Sequence, residues 1–133
     1  MNPTAATPCP RRTDAGSAAI SIAIVFPAIA MLFLALAQAV MVAAAREVAL
    51  SSAEEGLRVA RAHDGTPAQG QNAAIRFARR EPVLGSPAIT VSGTTTITVQ
   101  VRGRAPSILP GVHLDVSESA RGARERFTTP QQP

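Results

Sequence analysis

From Ala15 to Ala45 the chain carries no Asp, Glu, Lys or Arg, and Gln38 is the only strongly polar side chain in the run. As a helix rising about 1.5 Å per residue, these roughly 31 residues reach about 46 Å, against a hydrocarbon layer of about 30 Å. A buried helix of a soluble domain needs no such length, and it normally keeps a polar face. The run therefore reads as a single transmembrane helix over 17–45. Its surplus length calls for tilt, or for helix that continues past the bilayer.

Other export signals fit less well. Ala35-Leu36-Ala37 ahead of Gln38 has the small residues of a secretory cleavage site. However, the apolar stretch exceeds the roughly 7–15 residues of such a signal and continues through Val40, Met41 and Val42. Cys9 precedes the run, which excludes a lipoprotein signal, and Arg11-Arg12 lacks the context of a twin-arginine signal. Pro27 lies inside the span. Proline costs about 3 kcal/mol in an exposed helix interior. In a membrane helix it is tolerated where a kink or a neighbour re-satisfies the freed carbonyl. Alanines recur four apart at Ala15, Ala19 and Ala23 and again at Ala35, Ala39 and Ala43, a spacing that lets two helices approach closely. In an Ala-rich chain, composition accounts for the spacing equally well.

The rest of the 133 residues leave room for one small domain. All 13 basic residues are Arg, and the formal net charge is +4. Acids stand beside them at Arg46-Glu47, Arg80-Glu81 and Glu125-Arg126, and no basic stripe interleaved with aromatics appears. That pattern argues against nucleic acid as a partner. A single cysteine excludes an internal disulfide and a Cys-based metal cluster.

Past Arg46 the helical pattern turns amphipathic. Ala49, Ala53, Leu57 and Ala60 recur three and four apart, with Glu54, Arg58 and Arg61 elsewhere. His63-Asp64-Gly65 should end that segment. Thr66-Pro67-Ala68-Gln69 then has the makings of a second helix start: a capping Thr, a Pro at the first position and a Gln closing a capping box. The second helix should bury Ala74, Phe77 and Ala78 and stop before Pro82. Alternation at Ile89 and Val91, at Ile97, Val99 and Val101, and at Val112, Leu114 and Val116 predicts three strands, with a hairpin turn at Ser92-Gly93. Pro106, Pro110 and Gly111 bound a longer connection. The expected fold class is α+β: a single N-terminal transmembrane helix, short amphipathic helices over 46–81, and a small antiparallel three-stranded sheet over 86–127, outside the membrane. So small a core is marginal alone. Residues 128–133 should be disordered.

No enzyme's constellation emerges. His63-Asp64 and His113-x-Asp115 are too few and too far apart in sequence for a zinc site, and read as a helix-end residue and a solvent-facing strand residue. There is no Gly-x-Ser-x-Gly elbow. Gly65, Gly70, Gly85 and Gly93 stand apart, without the Lys of a phosphate loop. No catalytic residue, metal, cofactor or small-molecule substrate is expected.

The N-terminal residues carry a resemblance. Arg11-Arg12, Asp14-Ala15-Gly16 and the segment from Ser17 to Phe26-Pro27 resemble the start of the TadE-like family. Its members are pilin-like components of the bacterial tight-adherence (Flp-type) pilus and secretion machinery. The resemblance implies a basic leader over 1–16, cut by a prepilin peptidase between Gly16 and Ser17. It also places Pro27 at the family's spacing. At the fifth mature position, where the family often has Glu, this chain has Ser21. In pilins that carboxylate is thought to meet a neighbouring subunit's amine, so Ser21 implies a minor or accessory role. A looser likeness continues through Ala53-Glu54-Glu55-Gly56-Leu57-Arg58, through Arg104 to Gly111, and at Glu125-Arg126-Phe127. The implied partners are the membrane, the peptidase and other pilin-like or Tad assembly proteins. Arg11 and Arg12 on one side nearly balance Arg46, Arg58 and Arg61 on the other, so the charge rule leaves the orientation open. The resemblance implies a cytoplasmic N-terminus. The competing reading is an uncut, membrane-anchored binding module of the envelope.

Overall fold

The computed structural model describes residues 15–125, with side chains from Ala19 onward. Cys9, Arg11, Arg12, Arg126, Phe127 and the tail at 128–133 lie outside the described residues. The chain divides into two compact units, Met1–Ala35 and Leu36–Pro133. The elements in order are α1 (Ala15–Arg61), α2 (Pro67–Arg80), β1 (Gly85–Ser92), β2 (Thr96–Ala105) and β3 (Leu114–Ala123). The fold is α+β: a long N-terminal apolar helix, one short helix and a three-stranded antiparallel sheet of order β1-β2-β3.

α1 runs without interruption through Pro27 and past Arg46. The amphipathic segment read from Arg46 onward is thus the continuation of the apolar helix and not a separate one. The helix continues into the second unit, whose boundary lies at Leu36, inside the apolar run.

In the second unit the buried face of α1 is made of small residues and one Leu. Ala45, Ala49, Ser52, Ala53, Gly56, Leu57 and Ala60 are buried, at the three-and-four spacing that lines one side of a helix. Ser52, the polar member, donates from Oγ to Val48 O at 2.6 Å, so its burial leaves no unmade bond. α2 packs on this face closely. A Cβ on Gly70 would stand 2.6 Å from Ala60 Cβ and 2.7 Å from Gly56 O, and one on Gly56 would stand 2.9 Å from Ala74 Cβ. Neither glycine has room for a side chain.

Local signals explain where the elements start and stop. α1 ends ahead of Gly65, whose N–H donates to Ala62 O at 2.9 Å. α2 begins with the full capping box: Thr66 Oγ1 accepts from Gln69 N, and Gln69 Oε1 accepts from Thr66 N. It buries Gly70, Ala73, Ala74 and Ala78, with Phe77 half-buried, and stops at Arg80 ahead of Pro82. The Gln71 amide donates to Ile89 O at 3.0 Å, tying α2 to β1.

The sheet turns Ile89, Ile97, Val99, Val101, Ala105 and Val116 onto the two helices. Its other face carries Thr96, Thr98, Gln100, Arg102 and Arg104 of β2, with Asp115, Ser117 and Arg121 beside them. Gly93, at φ +99°, makes the β1–β2 turn; a Cβ there would strike Thr96 O. Pro87, which has no N–H, sits where the β1 register shifts between Gly85 and Ala88, on an edge strand that can spare a donor. On the other edge, Glu118 faces the core side opposite Val101 and is half-buried. An inward charge of this kind discourages edge-to-edge pairing.

One strand differs from expectation. β3 begins at Leu114, which leaves Val112 and His113 in the preceding loop, both exposed. The apolar alternation continued through Val112, but pairing begins at Ala105↔Leu114, where β2 ends. A residue beyond the partner strand has no ladder to join.

Candidate functional site: the apolar surface of α1 and the loop beside Gln38

In the first unit, the apolar surface of α1 is bare. Ile20, Ile22, Ile24, Phe26, Leu32 and Phe33 are all exposed. They point in every direction around the helix, so no single face is left to be covered by one neighbour. Leaving such surface in water forfeits about 25 cal/mol for each Å², and exposed apolar area on this scale marks a lipid or protein contact. α1 is the one helix among the described residues long and apolar enough to cross a membrane.

The residues singled out from the sequence lie along this stretch. Gly16 and Ser17 fall in the first turn of α1. Ser21 is exposed and, with Ile22, Val25, Phe26 and Ile29, lines a shallow apolar depression on the helix surface. Pro27 lies six residues after Ser21. It has no N–H to donate to Ala23 O, yet the helix continues through it. Ala19, Ala23, Ala35, Ala39 and Ala43, the small residues at four-residue spacing, are exposed. The stripe that packs inside the second unit is the later one, from Ala45 to Ala60.

Gln38 acquires a partner that its sequence neighbourhood does not reveal. Its Nε2 donates to Pro106 O at 3.0 Å, and its Oε1 accepts from Ile108 N at 2.8 Å. Both amide groups thus close on the backbone of the β2–β3 loop. A lone amide in an apolar run has to be satisfied somewhere. That requirement was the available signal, but the identity of the partner was not.

A few of the charged groups form surface pairs. Past the apolar stretch, Arg58 donates to Glu55 at 2.7 and 2.9 Å. This hydrogen bond, which outweighs a small burial effect, holds the Glu55 carboxyl below its ordinary range. Arg104 and Asp115 stand 3.6 Å apart across β2 and β3, beside an open groove that Ser86, Ala88, Arg102 and Ser117 also line. His63 lies 4.0 Å from Asp64 just beyond α1, and His113 lies in the loop before β3, not on the strand. Among the described residues, no three His, Cys, Asp or Glu side chains gather where a metal ion could sit. No protein-family model, curated protein or solved structure matches the chain.

Proposed function

We propose that the chain is a non-catalytic, pilin-like minor subunit or accessory protein of a Tad-type pilus or secretion apparatus. In this reading α1 crosses the membrane once, with its N-terminus in the cytoplasm and the helix–sheet unit outside. The observation that carries the reading is the Gly16-Ser17 junction at the head of the continuous helix α1, whose large apolar side chains from Ile20 to Leu34 are all left uncovered. Such a surface is made for a lipid or protein environment that the described residues do not supply.

The basic leader, Pro27 and the likeness to TadE-like proteins point the same way. Ser21 assigns the minor role, since a hydroxyl cannot supply the charge that a neighbour's amine would meet. The partners in this reading are the prepilin peptidase and other pilin-like or Tad assembly proteins.

The test is mass spectrometry of the mature N-terminus, with and without a co-expressed prepilin peptidase. The wild type should begin at Ser17 only when the peptidase is present. Gly16→Leu should block the cut, because a branched side chain does not fit a site shaped for glycine. A wild-type protein that keeps Met1 or begins at Gln38 in a peptidase-positive host would contradict the reading. An uncut chain that stays in the membrane would favour an anchored binding module.

A further inference from the structure

We propose that the β2–β3 loop, residues 106–112, is a second membrane contact: its apolar tip enters the lipid interface beside α1. The proposal rests on the reading of α1 as a membrane span, and adds to it a fixed depth and a lipid-bound loop.

The first observation is the composition of the tip against the rest of its unit. The loop carries no charge from Ala105 to Val112. Ile108 is 44% exposed, Leu109 52% and Val112 41%, in a unit that hides Ile97, Val99 and Val101 completely. Outside α1, these are the large apolar side chains that the described residues leave exposed.

The second is position. Gln38 holds the loop backbone through two hydrogen bonds, and at this level the surface of α1 is still apolar and open, at Met41 one turn along on the same side and at Leu36 and Val40 on the opposite side. The loop's apolar tip is thus held beside a stretch of helix that is itself still apolar. The first charge on α1 after Gln38 is Arg46, about 12 Å further along the axis. The uncharged run from Ala15 to Gln38, about 24 residues, rises about 36 Å as a helix, against a hydrocarbon layer of about 30 Å. A span that begins in the first turns of the run therefore reaches its far boundary close to Gln38, and the loop with it.

The third is the state of the loop's backbone. A segment that leaves water must satisfy its own polar groups. Ile108 N donates to Gln38, Leu109 N donates to Ser107 Oγ at 3.2 Å, and Val112 N donates to Leu109 O at 3.3 Å. Ser107 Oγ in turn donates to Leu109 O at 2.9 Å. Pro110 has no N–H to satisfy. The flanking Arg104 and Asp115 remain well exposed as a pair, where headgroups and water would meet them.

The test uses the full chain in phosphatidylcholine–phosphatidylglycerol vesicles, in a Cys9→Ser background. A polarity-sensitive NBD label is placed at Leu32→Cys, Leu109→Cys or Thr90→Cys, the last on the polar face of β1. Lipids with a nitroxide near the top or near the end of the acyl chain serve as quenchers. Label at 32 should be quenched from deep in the bilayer. Label at 109 should be blue-shifted and quenched most by the shallow nitroxide, and label at 90 should be quenched by neither. Quenching at 32 with label at 109 as unquenched as at 90 would overturn the loop contact and leave the span standing. Absence of quenching at 32 would overturn the span and the loop contact together. A blue shift at 109 that no lipid quenches, and that fades as the protein is diluted in excess lipid, would assign the tip to a second copy and overturn the proposal.

Discussion

At the scale of single residues, Gln38 decides more than its size indicates. One amide in an apolar helix meets both a carbonyl and an N–H of a loop about 70 residues further along the chain. Replacing it by Leu removes both partners at once and strands Pro106 O and Ile108 N. A hydrogen bond is worth about 1 kcal/mol net. The local opening of the loop should therefore become cheaper by at least about 1 kcal/mol, or roughly five-fold in population. Hydrogen exchange of the full-length protein in detergent should show the Ile108 amide exchanging faster by that factor or more in Gln38→Leu. Amides in the middle of β2 should be unchanged. Equal protection of Ile108 in both proteins would mean that the clamp does not hold the loop.

At the scale of elements, the joint between α1 and α2 sets the stability of the second unit. Two opposing effects meet at Gly70. Alanine is a better helix former than glycine by roughly 0.5–1 kcal/mol. Its Cβ, however, would press on Ala60 Cβ and Gly56 O, neither of which is the free end of a flexible side chain. Overpacking of this kind costs about 1–3 kcal/mol, so Gly70→Ala should destabilise on balance. Thermal or denaturant unfolding in detergent should show a lower midpoint. A midpoint raised above wild type would place the two helices further apart than described. The amphipathic face of α1, the capping box at Thr66 and the alternation along β2 were all legible in the sequence, because each is set by residues a few positions apart. The loss of Val112 from β3 was not, because strand length depends on where the partner strand ends.

At the scale of the whole molecule, the proposed reading carries an orientation that the arginine count alone does not supply. A leader cut at Gly16 has to face a peptidase at the cytoplasmic surface, which puts the sheet on the far side. A reporter active only outside the cytoplasm, fused after Phe127, should be active, and a fluorescent cytoplasmic reporter at the same point should be dark. The reverse pattern would remove both the topology and the pilin-like reading.

The sequence by itself determined that the chain has one long apolar helix, a short capped helix and alternating strands, because uncharged length, capping residues and side-chain period act over one or two turns or a single strand. It also marked Gln38 as an anomaly and Gly16, Ser17, Ser21 and Pro27 as the residues of interest. Only the tertiary structure decided that α1 is continuous into the second unit, which begins at Leu36, that Gly56 and Gly70 lie where the two helices leave no room for a side chain, and that Gln38 binds the β2–β3 loop. Each of these depends on segments far apart in sequence meeting in space, and local propensity contains no term for which distant backbone group will arrive at a given side chain.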